Sequence, residues 1–298
     1  MAVRLLFLTR NPRLYSMQRF QRACKGLGHE AATLDVLKTN IILHARNPQM
    51  RHRGVPIDPD WADVVMPRIG TSVTAAGVTV VRQFEAMGVP VVNPSVGIMR
   101  ARDKLRSLQV LSRSRVDMPK TAFIQTINDL DAAIDQVGGL PCVVKLLQGT
   151  QGIGVMLAES RSALESMLQA FWSLGHLVLL QEFIKESKGK DVRAFVVGDR
   201  VVAAMRREAP LGEFRSNIHR GGLGRSVQLS DDDEATVIEA AQAIGLHVAG
   251  VDFLESHQGP KIIEVNASPG FQGLERATNA DIAGEVVRFA VDFVEQQR

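Results

Sequence analysis

The sequence predicts a mixed α/β fold, and three observations carry that expectation. Short apolar runs alternate with helical stretches through the first hundred residues. Beyond them the alternation loosens into an α+β pattern. The chain of 298 residues is long enough for more than one core, since domains typically hold roughly 100 to 200 residues. Hydrophobic residues at 45% and charged residues at 22% are ordinary for a globular chain, and 25 Gly with 12 Pro exclude a collagen-like or low-complexity one.

The elements follow in order. Strands are expected at 3–9, 31–37 and 64–69, helices at 15–26 and 72–87, and a short strand at 89–92. This βα alternation predicts a small parallel sheet covered by helices and ended by the Asn93-Pro94 turn. Next come a helix at 103–114, a strand at 121–125, a helix at 130–137 and a strand at 142–147, which runs into a glycine-rich loop. A strand at 155–158, a helix at 162–174 and a strand at 177–184 complete this part. Strands at 192–197 and 200–206 precede a polar Gly/Arg-rich loop. Ser230 followed by Asp231, Asp232 and Asp233 opens a helix, because carboxylates suit a helix N-terminus. Strands at 250–254 and 261–265 flank a turn, and a helix at 282–295 closes the chain.

Charge and composition narrow the function. Lys and Arg number 35 against 32 Asp and Glu, a net charge of +3, which does not describe a general nucleic-acid coat. Aromatic residues make up only 5% and form no base-stacking motif, so no direct nucleic-acid partner is expected. Cys24 and Cys142 are the only cysteines, too few for a Cys-rich metal site and consistent with a reducing, cytoplasmic setting. No export signal is read at the start, and the uncharged stretches at 69–81 and 166–181 are too short to span a bilayer.

Several segments carry chemistry. Glu264 and Asn266 are two apart on one strand and share a face, and a hairpin pairing would bring Asp252 beside them. Oxygen donors without His or Cys suit Mg²⁺ or Mn²⁺, although the same pattern fits a solvent-facing strand edge. KLLQGTQGIGV places Lys145 before Gly149, Gly152 and Gly154. Such glycines let a backbone close over a ligand while a lysine meets phosphate; a plain turn is the alternative. The strand ending in Gln181, Glu182 and Phe183 turns into a charged segment, as does any buried strand leaving a core. Arg206-Arg207 and FRSNIHRGG gather donors suited to phosphoryl oxygens or carboxylates, or to a solvated loop. Arg100, Arg102, Lys104 and Arg106 read as a basic helix start, where positive charge opposes the dipole unless an anion binds. Arg46, Arg51, His52 and Arg53 read as a Gly/Pro-bounded basic loop that could attract an acidic peptide.

In order, MPRIGTS, ARDKLRS, VVKLLQGTQGIGV, QEFIKE, DVRAFVVGD, FRSNIHRGG, GVDF and EVNASPG resemble the RimK family of ATP-grasp ligases over essentially the whole chain. The resemblance implies an ATP-grasp fold with a pre-ATP-grasp βαβ domain at 1–94. A central subdomain with the lid loop would follow at 95–184 and a metal-bearing subdomain at 185–298, with ATP held between these two. It also implies roles residue by residue. Lys104 and Lys145 would contact the phosphates under a lid containing Gly149, Gly152 and Gly154. Glu182 and Phe183 would lie along the adenine, Asp191 would hold the ribose, and Arg215, Ser216 and Asn217 would complete the nucleotide site. Arg206 would stabilise the transferring phosphoryl group, and Asp252, Glu264 and Asn266 would hold Mg²⁺ or Mn²⁺, as two ions.

The implied reaction joins L-glutamate to the C-terminal carboxylate of small-subunit ribosomal protein six, or of a growing glutamyl tail, through an acylphosphate. A carboxylate nucleophile needs no general base, but the crowded negative charge needs cations. Related ligases of carrier proteins or cofactor tails, and a non-catalytic ATP-binding module, share the pattern. A homodimer or homotetramer is expected from the same resemblance.

Overall fold

The computed structural model describes residues 1–45, 48–147, 154–210 and 223–297. It opens with β1 (Arg4–Leu8), α1 (Tyr15–Gly26) and β2 (Glu30–Leu34). A meander of β3 (Thr39–Ile42), β4 (Gln49–His52) and β5 (Val55–Ile57) follows, then β6 (Val64–Pro67) and α2 (Thr74–Ala86). Strands β2, β1 and β6 form the expected parallel sheet in that order. The strand expected at 89–92 shrinks to a single bridge between Val65 and Val91. Arg51 and His52 belong to β4 and not to a loop. Gly54, at φ +82, serves the tight β4–β5 turn, and Pro56 sits on the edge strand, where its missing N–H costs little; Arg46 lies outside the described residues.

The basic run 100–106 spans two helices, α3 (Ser95–Arg102) and α4 (Lys104–Arg113). Asp103 adopts an extended conformation between them and caps α4, its side chain accepting from the Arg106 N–H at 2.9 Å. Arg100 and Arg102 therefore fall in the last turn of α3, where their charge is favourable. This corrects the expectation that all four basic residues open one helix.

The central unit contains β7 (Thr121–Phe123), α5 (Leu130–Gln136), β8 (Cys142–Leu146), β9 (Val155–Ala158), α6 (Arg161–Ser173) and β10 (Val178–Glu182). Its antiparallel sheet runs β7-β10-β8-β9. Then come β11 (Lys190–Val197), β12 (Arg200–Glu208), β13 (Leu223–Ser226), α7 (Asp231–Ile244), β14 (Val248–Leu254), β15 (Lys261–Asn266), α8 (Gln272–Thr278) and α9 (Ile282–Glu295). The five strands pair antiparallel as β13-β12-β11-β14-β15. Ser230 caps α7 through the Asp233 N–H, as its acidic first turn suggests.

The cores cut across these segments. One, built on Leu130, Val144, Leu164 and Leu180, lies wholly within the central unit. A second joins Leu6, Leu34 and Phe84 to Val192, Val251 and Phe253, and Ile98 and Leu111 of α3 and α4 also enter it. A third joins Phe7 and Phe20 to Phe195, Phe271 and Val287. The N-terminal and C-terminal thirds are thus welded together.

Asn93 reinforces the weld. Its buried amide Nδ2 donates to the carbonyls of Val248 at 2.6 Å and Ala267 at 3.0 Å. Its Oδ1 accepts from the His247 and Val248 N–H groups, each at 2.8 Å. Asn93→Ala leaves these backbone groups without their partner, at about 1–3 kcal/mol for each group that water cannot reach. Urea unfolding should show a loss of at least about 3 kcal/mol on that scale. No helix among the described residues is long and apolar enough to cross a membrane.

Candidate active site

Strand alternation sorts the five-stranded sheet into two faces. Val192, Ala194, Ala204, Val251 and Phe253 point into the core shared with α7. The opposite face is covered at one end by Phe271 and α9 through Phe195, Val197 and Met205. At its other end it carries charge. Arg193 on β11 is in register with Asp252 on β14, and Asp252 with Glu264 on β15. Asn266 faces Gly250, and Asp191 on β11 faces Arg207 on β12.

These groups form one network. Arg193 donates to both oxygens of Asp252, at 2.7 and 2.6 Å. Arg207 donates bidentately to Asp191, with Nε at 2.7 Å from Oδ1, and its Nη2 lies 3.0 Å from Oδ2 of Asp252. Burial alone would raise the Asp252 pKa, but the two guanidiniums override it and hold the carboxylate below its ordinary range. Glu264 opens toward the cleft while protein surrounds it on most sides. Burial and repulsion from Asp252 push its pKa up, against the pull of Arg193, Lys145 and Lys104.

Two lysines face Glu264 from across the cleft. Lys145 lies on β8 with its side chain opposite the face that packs Cys142 and Val144 into the central core. Lys104 opens α4, and its Nζ donates to the Leu146 carbonyl at 2.9 Å, tying α4 to the end of β8. Burial lowers the Lys104 pKa, with Glu264 partly offsetting it. Burial and the Lys104 charge push Lys145 down to about 8, again against the pull of Glu264. Phosphate would bind the protonated amine, so binding takes up a proton once the free lysine is neutral. Nucleotide affinity should therefore fall as pH rises through about 8, and Lys145→Arg should remove that alkaline limb. Nucleotide titration from pH 7 to 9.5 reads both.

The remaining predicted residues fall as follows. Gly154 has φ +80, and a Cβ there would sit 2.9 Å from Leu146, so only glycine fits without strain. Glu182 ends β10; its N–H donates to the Lys120 carbonyl at 2.8 Å and its Oε2 accepts from the Lys120 N–H at 3.1 Å. Phe183 follows at the strand's exit, half-buried. Asp191 is buried under Arg207. Gly149, Gly152, Arg215, Ser216 and Asn217 lie outside the described residues.

Arg206 lies apart from the Asp252 network. Adjacent strand residues point to opposite faces, and Arg206 pairs with Glu255 on the α7 side, with Nε at 2.8 Å from Oε2. The arginines on the Asp252 face are Arg193 and Arg207. Arg207 is read from the sequence only together with Arg206, and Arg193 is not singled out there, although Asp191 and Arg193 in DVRAF already share a face by their spacing of two.

The donor set fits a hard divalent cation: two carboxylates and an amide. Asn266 supports this, because its buried Nδ2 has no hydrogen-bond partner among the described residues, so no internal bond fixes the amide. A RimK PreATP-grasp domain model matches residues 3–98, and a RimK-like ATP-grasp domain model matches 101–290.

The chain belongs to the RimK-like ATP-grasp family. A probable alpha-L-glutamate ligase of Vibrio vulnificus is 50% identical over 96% of this chain and 95% of that protein. The solved structure of a RimK domain protein ATP-grasp from Sphaerobacter thermophilus superposes with TM-score 0.72 at 22% identity, covering 97% of this chain and 99% of that one. The ATP-grasp ligase PsnB, solved with a minimal precursor, Mg and ADP, gives TM-score 0.76 at 19% identity over 98% of both chains. This RimK-like protein is accordingly an ATP-dependent ligase, and its cleft lies where the central sheet faces the sheet carrying Asp252 and Glu264.

Proposed function

We propose that the protein is an α-L-glutamate ligase that adds L-glutamate to the C-terminus of an acidic protein or glutamyl tail, small-subunit ribosomal protein six being the expected acceptor. The observation that carries this reading is the pairing of Asp252 with Glu264 on the cleft floor beneath Lys104 and Lys145. The name of the Vibrio relative supplies the glutamate.

In this reading Lys104 and Lys145 hold the ATP phosphates, with Gly149, Gly152 and Gly154 in the loop above. The segment at Glu182 and Phe183 takes the adenine. Asp191, Arg215, Ser216 and Asn217 serve the rest of the nucleotide, Asp191 sharing its carboxylate between Arg207 and the ribose. Asp252, Glu264 and Asn266 would hold Mg²⁺ or Mn²⁺, as two ions, whose charge would offset that of the phosphates and the acceptor carboxylate. An oxygen of the acceptor carboxylate attacks the γ-phosphorus and ADP leaves. The glutamate amine then attacks the acyl carbon, phosphate leaves, and the nitrogen gives up a proton. Arg193, already fixed against Asp252, takes over the phosphoryl-facing role first expected of Arg206. The enzyme works in the cytoplasm as a homo-oligomer.

ADP release is measured with L-glutamate and a C-terminal peptide of the ribosomal protein, alongside mass analysis of the peptide. Mass increments of one or more glutamates are expected. ADP release only with another amino acid or another acceptor would overturn the assignment.

A further inference from the structure

The parallel sheet β2-β1-β6 opens its carboxyl ends toward the same cleft from a third side, the place where open α/β sheets receive ligands. Arg68 is the first residue beyond β6, and its N–H donates to the Leu8 carbonyl at 2.9 Å. Its guanidinium lies 5.5 Å above the Phe20 ring centre and donates through Nη2 to the Pro269 carbonyl at 2.7 Å. Arg102, at the end of α3, donates through Nη1 to Thr71 Oγ1 at 2.9 Å and through Nη2 to the Ile69 carbonyl, while its Nε is buried without a partner among the described residues. Neither arginine forms an ion pair with a carboxylate among the described residues. Each instead hydrogen-bonds to neutral oxygens; burial with the nearby Arg102 charge pushes Arg68 down to about 10, and burial lowers Arg102 against the pull of Glu264.

Two further polar atoms lie at the end of β15 and just beyond it. Ser268 Oγ, next to the Pro269 that Arg68 grips, and Asn266 Nδ2 are buried and unpartnered among the described residues. Two half-buried guanidiniums and three polar atoms orphaned among the described residues therefore belong to the region where α3, the end of β6 and the chain at the end of β15 converge. Leaving such donors unmade is costly, so the constellation calls for an anion. In the ligase reading, phosphate already has Lys104 of α4 and Lys145 of β8. Planar guanidiniums match a carboxylate, which can accept from both arginines at once.

We propose that Arg68 and Arg102, with Ser268 Oγ and Asn266 Nδ2, form a pocket for a carboxylate of the amino-acid substrate that does not itself react. The pocket orients the substrate beside the cleft floor. The inference rests on the ligase reading above, in which a dicarboxylic unit enters either as free L-glutamate or as the last residue of the acidic tail.

Equilibrium binding of labelled L-glutamate and of labelled triglutamate is measured with ADP and Mg²⁺ present, for wild type, Arg68→Gln, Arg102→Gln and Ser268→Ala. Each arginine variant should weaken one of the two ligands about tenfold to a hundredfold, and Ser268→Ala about threefold or more, with ADP affinity held within about twofold. Ser268→Ala removes only an unpartnered hydroxyl, so it reads the pocket even if an arginine variant unfolds. Weakened glutamate assigns the pocket to the free amino acid; weakened triglutamate assigns it to the tail. Unchanged affinity for both ligands, an equal loss of ADP affinity, or no binding to wild type overturns the pocket. Wild-type enzyme that binds these ligands but releases no ADP overturns the ligase reading alone.

Discussion

Glu264→Gln should lower ADP release on the order of a thousandfold, since a cation held there, as proposed above, would supply several kcal/mol of charge stabilisation and each 1.36 kcal/mol is a factor of ten. The fold should not suffer. Burial and the neighbouring Asp252 already disfavour the ionised form of Glu264, so a neutral isostere removes a repulsion, and the urea midpoint should stay level or rise. Asp252→Asn separates the two effects. It should lose activity to a similar degree, but it also withdraws a bidentate anionic partner from Arg193 and a contact from Arg207, so its urea midpoint should fall. Near-normal ADP release in Glu264→Gln would remove that residue from the metal shell.

Arg207→Leu should destabilise the protein by about 3–5 kcal/mol, the usual consequence of stripping one partner from a buried ion pair. Arg207 is 3% exposed and serves both Asp191 and Asp252. The adjacent Arg206 pairs with Glu255 at the surface, and Arg206→Ala should cost no more than about 1 kcal/mol. Urea unfolding of the two variants thus tests directly which arginine belongs to the network. The pH dependence follows from Asp252. Its depressed pKa contributes stability that is present above the unfolded carboxylate range and lost as pH falls through the folded value. With Arg207 gone, burial is opposed by Arg193 alone, so acid destabilisation should begin at a higher pH than in wild type. Equal losses for the two arginine variants would contradict the assigned faces.

Much of the fold was legible because its signals are local. The Ser230 cap with its acidic turn, and the helix at 282–295, could be placed from a few residues. The Asp252–Glu264 pairing was legible for the same reason: period-two spacing and a short turn leave few registers. Other parts depended on information the residues do not carry locally. SVGIMRAR has no clear apolar stripe, so the sequence predicts no helix there and assigns its arginines to the start of the helix at 103–114, whereas the extended Asp103 separates α3 from α4. Arg206 and Arg207 were read as one cluster, although a strand sends neighbours to opposite faces. Arg68 and Ser268 are two hundred residues apart, and only the packing of the first third against the last makes them neighbours.

That welding also reverses the order in which the molecule can be finished as it is synthesised. β1 is synthesised long before α9, yet Val3, Leu5 and Phe7 share one core with Ile282, Val286, Ala290 and Val291 of that helix. The central unit, whose core runs from Ile124 to Leu180, holds all its own partners once β10 has emerged. The middle of the chain is therefore the first part able to settle, and the earliest residues wait for the latest. A chain cut short before α9 would leave its first strand exposed to aggregation.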